Sequence, residues 1–96
     1  MTPSFSVIAT PLYDRLARRL LRQHAAFDEA EDRVREILQD DPYNRSRRHA
    51  IKKLEGIPQG EGQYRLSLGR WRFRYDISAR HVILHYCGLR REDTYR

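Results

Sequence analysis

Residues 64–77, Y-R-L-S-L-G-R-W-R-F-R-Y-D-I, decide how this chain is read. Tyr64, Leu66 and Leu68 alternate with Arg65 and Ser67. After Gly69 and Arg70 the alternation resumes, with Trp71, Phe73, Tyr75 and Ile77 set against Arg72, Arg74 and Asp76. A period of two marks a strand with one face in a core and one toward water, and a two-residue break containing glycine between two such runs marks a hairpin. Trp71, Phe73 and Tyr75 carry the large apolar surface, so their side is expected to be buried and Arg65, Arg72 and Arg74 to share the other. Same-face residues lie about 7 Å apart along a strand and about 5 Å apart across strands, so these arginines would form one compact positive patch.

Beyond a short turn at Ser78, Ala79 and Arg80, residues 81–87 read as a third strand. Val82, Leu84 and Tyr86 are expected on the core side, and His81, Ile83, His85 and Cys87 on the other. Short connections between successive strands indicate an antiparallel meander. Upstream, residues 51–54 fit an edge strand or a continued loop equally well, and residues 44–48, N-R-S-R-R, form a basic loop. Asp28 followed by Glu31 resembles a capping box opening a helix over 28–40, with Ala30, Val34, Ile37 and Leu38 as its apolar stripe and Asp41-Pro42 as its end. Thr10-Pro11 pairs an N-cap with a proline at the first helical position, starting an earlier helix in which Leu12, Leu16 and Leu20 recur beside Tyr13, Ala17 and Leu21. A short strand over 4–9 precedes it. The order β-α-α-β-β-β predicts a single α+β domain over 1–96, with two N-terminal helices packed on one face of an antiparallel sheet.

Ninety-six residues leave no room for a second core. The longest apolar stretches fall far short of the roughly 20 residues that cross a bilayer, and residues 1–10 have neither the basic head nor the apolar run of a secretory signal. One cysteine, Cys87, cannot make an internal disulfide or a multi-thiolate zinc site. Among the histidines at 24, 49, 81 and 85, only the last pair share a strand, about 13 Å apart, too far to chelate together. The expectation is a cytoplasmic protein with no metal or other cofactor and no membrane partner.

Charge is divided unevenly. Residues 1–41 hold six arginines against eight acids, a net −2, while residues 42–96 hold thirteen basic residues against five acids, a net +8, giving +6 overall. Seventeen of the nineteen basic residues are arginine, whose planar fork of donors matches phosphate and stacks on bases, so a polyanion is the natural partner and an acidic protein the next.

The runs K-K-L-E-G at 52–56, Q-Y-R-L-S-L-G-R-W-R-F-R-Y-D-I at 63–77 and H-V-I-L-H-Y-C-G-L-R-R-E-D-T-Y-R at 81–96 resemble the RelE/ParE superfamily of bacterial type II toxin–antitoxin toxins. The resemblance covers the later half by motif and the first half by element order. It implies a RelE-like fold, a cognate antitoxin as partner, and one of two activities. The first is cleavage of mRNA in the ribosomal A site, where a ribose 2′-OH attacks the adjacent phosphorus to leave a 2′,3′-cyclic phosphate. The second, that of the ParE branch, is binding of gyrase without nuclease activity. A degenerate toxin kept as a binding module is a further alternative. By resemblance, Arg65 matches a basic residue on the first meander strand, Arg72 a phosphate-clamping arginine, Arg90 or Arg91 a charge stabiliser or acid, and Tyr95 a tyrosine that stacks on the substrate or helps to activate it. RNA-cleaving members carry lysines where this chain has Arg65 and Ser67, and arginine is a poor base because it stays protonated. His85 is therefore the expected substitute base, with His81 after it, and Lys52 or Lys53 could serve if the preceding loop folds over the site. Lys52, Lys53, Arg48 and Arg74 are expected to add contacts to RNA.

Overall fold

The period-two residues form a sheet, and the two helices cover its apolar side. The computed structural model describes residues 4–90. Strand β1 (Ser6–Ala9) leads into helices α1 (Pro11–Gln23) and α2 (Phe27–Asp40), followed by β2 (Ile51–Lys53), β3 (Tyr64–Leu68), β4 (Trp71–Ser78) and β5 (His81–Leu89). The strands lie in the order β1-β5-β4-β3-β2. Strands β2 to β5 pair antiparallel, so Ile51–Lys53 is an edge strand, and β1 adds in parallel along β5, making a five-stranded mixed sheet. The α+β reading holds. The parallel edge follows from the helical hairpin, which carries the chain out of β1 and leaves β1 free to pair with a strand from the far end of the sequence.

A single core joins the layers. Tyr13 and Leu20 of α1, Phe27, Ala30, Val34, Ile37 and Leu38 of α2, and Leu66, Trp71, Phe73, Tyr75, Val82, Leu84 and Cys87 of the sheet are all buried. Trp71, Phe73 and Tyr75 therefore face the helices, as the alternation predicts. Phe27 stacks on Phe73 with ring centroids 6.0 Å apart and meets Trp71 edge-on at 5.2 Å.

Helix α2 buries the expected stripe of Ala30, Val34, Ile37 and Leu38 and differs only at its start, whereas α1 is rotated from the expected phase. In α1 the Thr10 hydroxyl accepts from the Tyr13 amide, as its capping role requires, but the buried stripe runs through Tyr13 and Leu20 while Leu12 and Leu21 are exposed. The phenol of Tyr13 sets that rotation by reaching Glu31 Oε2 of α2 at 2.9 Å. Glu31 is thereby taken from the anticipated capping box. Asp28 lies inside the first turn, the N-cap is Ala26 without a side-chain bond, and the helix starts early enough to carry Phe27 into the core.

A larger correction falls on β5. Its register with β4 shifts between Arg74 and Tyr75: Tyr75 lies opposite Leu84, yet Arg74 lies opposite Tyr86, leaving His85 as the extra residue of a β-bulge. Alternation slips by one from that point. Cys87 pairs with Phe73 and is buried, and Tyr86 joins Arg74 on the face away from the helices, the reverse of the strict period-two expectation for both.

Candidate active site on the open sheet face

The face of the sheet away from the helices is built by register. Lys52 lies opposite Arg65, Arg65 opposite Arg74, and Arg74 opposite Tyr86, so a row of three cations and a phenol crosses four strands from β2 to β5. The next row places Ser67 opposite Arg72 and Arg72 opposite Gly88. The bulge adds His85 next to Tyr86, so two consecutive side chains reach the same face.

Of the expected arginines, Arg65, Arg72 and Arg74 do share this face, at half-buried positions. Their guanidinium groups have different engagements. Arg72 Nη1 donates to the Gly69 and Trp71 carbonyls, drawing the side chain over the β3–β4 turn. Arg74 donates through Nε to the Gly62 carbonyl at 3.2 Å and through Nη2 to the carbonyls of Glu61 and Gly62 at 3.1 Å, so it holds the loop before β3.

That loop is also held by a carboxylate. Asp76 is only 1% exposed although it sits on the open face. Its Oδ2 accepts from the amides of Gly60 (2.7 Å) and Gly62 (3.1 Å), and its Oδ1 from Gln63 (2.9 Å). His85 Nε2 lies 2.8 Å from Oδ2. Gly62 has φ +86°, and a Cβ there would meet Arg74 Cβ at 3.0 Å, so glycine is required both by the turn and by the close approach of loop to strand.

Burial alone would push the Asp76 carboxyl up, but the Gln63, Gly62 and Gly60 amides and the neighbouring His85 outweigh it and hold the group below the usual carboxylate range. Asp41 behaves alike: burial opposes ionisation, and the Ser46 hydroxyl with the Arg45 and Ser46 amides overrides it. A carboxyl depressed in the native state contributes stability that is complete above its unfolded value near 3.8 and is lost as pH falls through that value toward the native one. Thermal midpoints should accordingly hold from neutral pH to about 5 and then drop steeply toward pH 3. Asp76→Asn should show a shallower drop, and identical acid slopes for both proteins would contradict the assignment.

The remaining expected residues are dispersed. Lys53 lies with its ammonium over the Tyr64 ring at 5.8 Å, and Tyr64 stacks on Tyr75 on the helix side. Arg48 lines a hollow with Arg33, Glu36 and Asp40 at the end of α2, in a loop pinned by the Asp41 carboxylate through Arg45 and Ser46. His81 is exposed opposite Ser78 at the far end of β5. Arg90 is exposed beyond β5, its amide donating to the Arg70 carbonyl, and lines a hollow with His24, Arg70 and Leu89. Arg91 and Tyr95 lie outside the described residues. Among the described residues no three His, Cys, Asp or Glu side chains are grouped to hold a metal ion, and no helix is long and apolar enough to cross a membrane.

Comparison of the sequence with protein-family models and with curated proteins gives no match. Comparison of the structure gives one with a chain of the archaeal RelE–RelB complex from Pyrococcus horikoshii OT3, at a TM-score of 0.62 and 23% identity, covering 91% of this chain and 96% of that one. The fold is RelE-like. The RelE-like frame accounts for the helical hairpin, the meander and the open face. Tyr86 is the residue that the alternation put on the wrong side, and Asp76, placed on the open face from the sequence, was given no part in the site. Nothing in the alternation announces a bulge, but an acid in a run of arginines, with G-E-G-Q at 60–63 upstream, was a signal that Asp76 had backbone amides to collect.

Proposed function

We propose that this protein is the toxin of a type II toxin–antitoxin system and acts as a ribosome-dependent mRNA endonuclease, silenced by a cognate antitoxin. The observation carrying this reading is the single row of Lys52, Arg65, Arg74 and Tyr86 on the open face of a RelE-like fold, with His85 beside it. Cleavage by the 2′-OH needs a base, positive charge for the pentacoordinate phosphorus, and a proton for the leaving 5′-oxygen. His85 serves as the base. Arg65 and Arg72 provide the fixed positive charge that an arginine fork offers a phosphodiester. Tyr86 gives a base a ring to stack on, a role in which aromatic side chains recur in RNA recognition. The arginines at 90 and 91 are assigned to stabilising the developing charge, since a guanidinium keeps its proton, and the acid is assigned to Tyr95, whose ring is also the proposed second stacking group. The RelE chain used for comparison belongs to a RelE–RelB complex, which supports an antitoxin partner here.

Expression of the protein followed by mapping of 5′ ends in cellular mRNA tests the reading. Discrete cuts inside translated codons support it. DNA damage without cuts would favour a gyrase-binding toxin, and neither outcome would favour a binding module without catalysis. Arg72→Ala should reduce cleavage about 100-fold, the scale expected for losing one preorganised charge on the transition state. Its hydrogen bonds go to turn carbonyls near solvent, so stability should fall by only about 1 kcal/mol. A fully toxic Arg72→Ala protein would remove this residue from the mechanism.

A further inference from the structure

We infer that Asp76 is the positioning residue of the site: it fixes the imidazole of His85 and, in the same contact, locks the loop at 59–63 onto the open face. This rests on the reading of His85 as the base. A carboxylate in mid-strand on a solvent-side face would ordinarily project into water. Asp76 is instead buried and receives four donors, the amides of Gly60, Gly62 and Gln63 and the Nε2 of His85. An ionised carboxylate only accepts, so Nε2 must carry a hydrogen. The lone pair of the neutral ring then belongs to Nδ1, the nitrogen not turned to Asp76. A base needs that arrangement: one nitrogen tethered, the other open.

The bulge makes the tether reachable. Asp76 lies opposite Ile83, two residues before His85, and the extra residue lets the ring lean back to Oδ2 while Tyr86 keeps the register of Arg74. The loop completes the arrangement from above. Its amides converge on Asp76 and its carbonyls on Arg74, two positions earlier on the same face, so two opposite charges of β4 each grip the polar group of matching sign. Arg74 is thus a clamp on the loop rather than a free phosphate ligand. The groups of ionisable type around His85 are Asp76 and Arg74 of β4 and Tyr86 of its own strand. The loop's Glu61 enters through its carbonyl.

Two measurements test this on the full-length protein. In the wild type, nitrogen-15 NMR of the His85 ring, followed over a pH series and read where the ring is neutral, should show a hydrogen on Nε2 exchanging slowly with water and an unprotonated Nδ1. A hydrogen on Nδ1 with Nε2 bare would overturn the proposal, whatever any variant does. Asp76→Asn should lose that slow exchange and cut single-turnover cleavage of ribosome-bound mRNA by about 100-fold, within the 10²–10⁴ that a general base supplies in all, with ribosome affinity kept. A folded Asp76→Asn protein that cleaves at the wild-type rate would also overturn it. If Asp76→Asn fails to fold, the wild-type spectrum decides alone. The two readings separate through His85→Ala: full activity in that variant sinks the base assignment, while the tautomer set by Asp76 is still read from the wild-type ring.

Discussion

Trp71→Ala is expected to cost about 3–5 kcal/mol of stability, the range of a buried aromatic truncation, in a domain whose whole margin is about 5–10 kcal/mol. The indole is 6% exposed and binds three parts of the fold together. It meets Phe27, the first residue of α2, edge-on at 5.2 Å; it meets His24, which caps the end of α1, at 5.5 Å; and the Arg70 guanidinium lies over it at 4.8 Å. Arg70 also bonds His24 Nδ1 at 2.7 Å, so removing the ring loosens the corner where the helical hairpin meets the β3–β4 turn. Collapse cannot refill the space cheaply, because Phe27 is held against Phe73 and cannot move over. Urea denaturation should show the loss directly, and the thermal midpoint should fall by about 15–30 °C. Leu12→Ala is the control: its side chain is 49% exposed, and its effect should stay within about 0.5 kcal/mol. A Trp71→Ala protein as stable as the Leu12→Ala protein would mean that the corner carries no load.

That corner was legible because its residues obey simple periods. Trp71, Phe73 and Tyr75 alternate in one unbroken strand, and a core composed of whole faces follows from such alternation however the helices finally rotate. The phase of α1 was not legible in the same way. Leu12, Leu16 and Leu20 make as good a stripe as Tyr13, Leu16 and Leu20, and what chooses between them is the bond from Tyr13 to Glu31, an interhelical contact between residues eighteen positions apart. The candidate site was legible only in part for a related reason. Register alone puts Arg65, Arg72 and Arg74 on one face, and the alternation gives that register. Which of those charges meets solvent depends on the loop at 59–63, whose path is dictated by Asp76 and by left-handed glycines rather than by any periodic signal. The bulge is equally silent: Y-C-G after His85 is compatible with tyrosine or cysteine turned inward, and only pairing with Arg74 and Phe73 decides the matter.

Replacing His85 should produce the largest loss of activity, about 10²–10⁴-fold in cleavage rate, which is what a positioned base contributes, with a loss of stability below that of Trp71→Ala. The asymmetry follows from its surroundings. The side chain is 22% exposed, so little apolar area is lost when it is cut back to alanine. Asp76 keeps three backbone donors and is not left as a bare buried charge, so the cost should be near that of one charge-assisted hydrogen bond, about 1.5–3 kcal/mol. The arginines of the face cannot take over, since a guanidinium remains protonated at any pH the protein survives. Two other groups could: Lys52, which begins the row at the β2 edge, and His81, on the same strand about 13 Å away. Single-turnover cleavage by His85→Ala, Lys52→Ala and His81→Ala proteins, each with its urea midpoint, ranks them directly. His85 should stand alone in losing the chemical step while keeping its fold. An undiminished rate in His85→Ala, with the loss appearing in Lys52→Ala instead, would move the base to the sheet edge and leave the Asp76–His85 pair as a fastening for the loop.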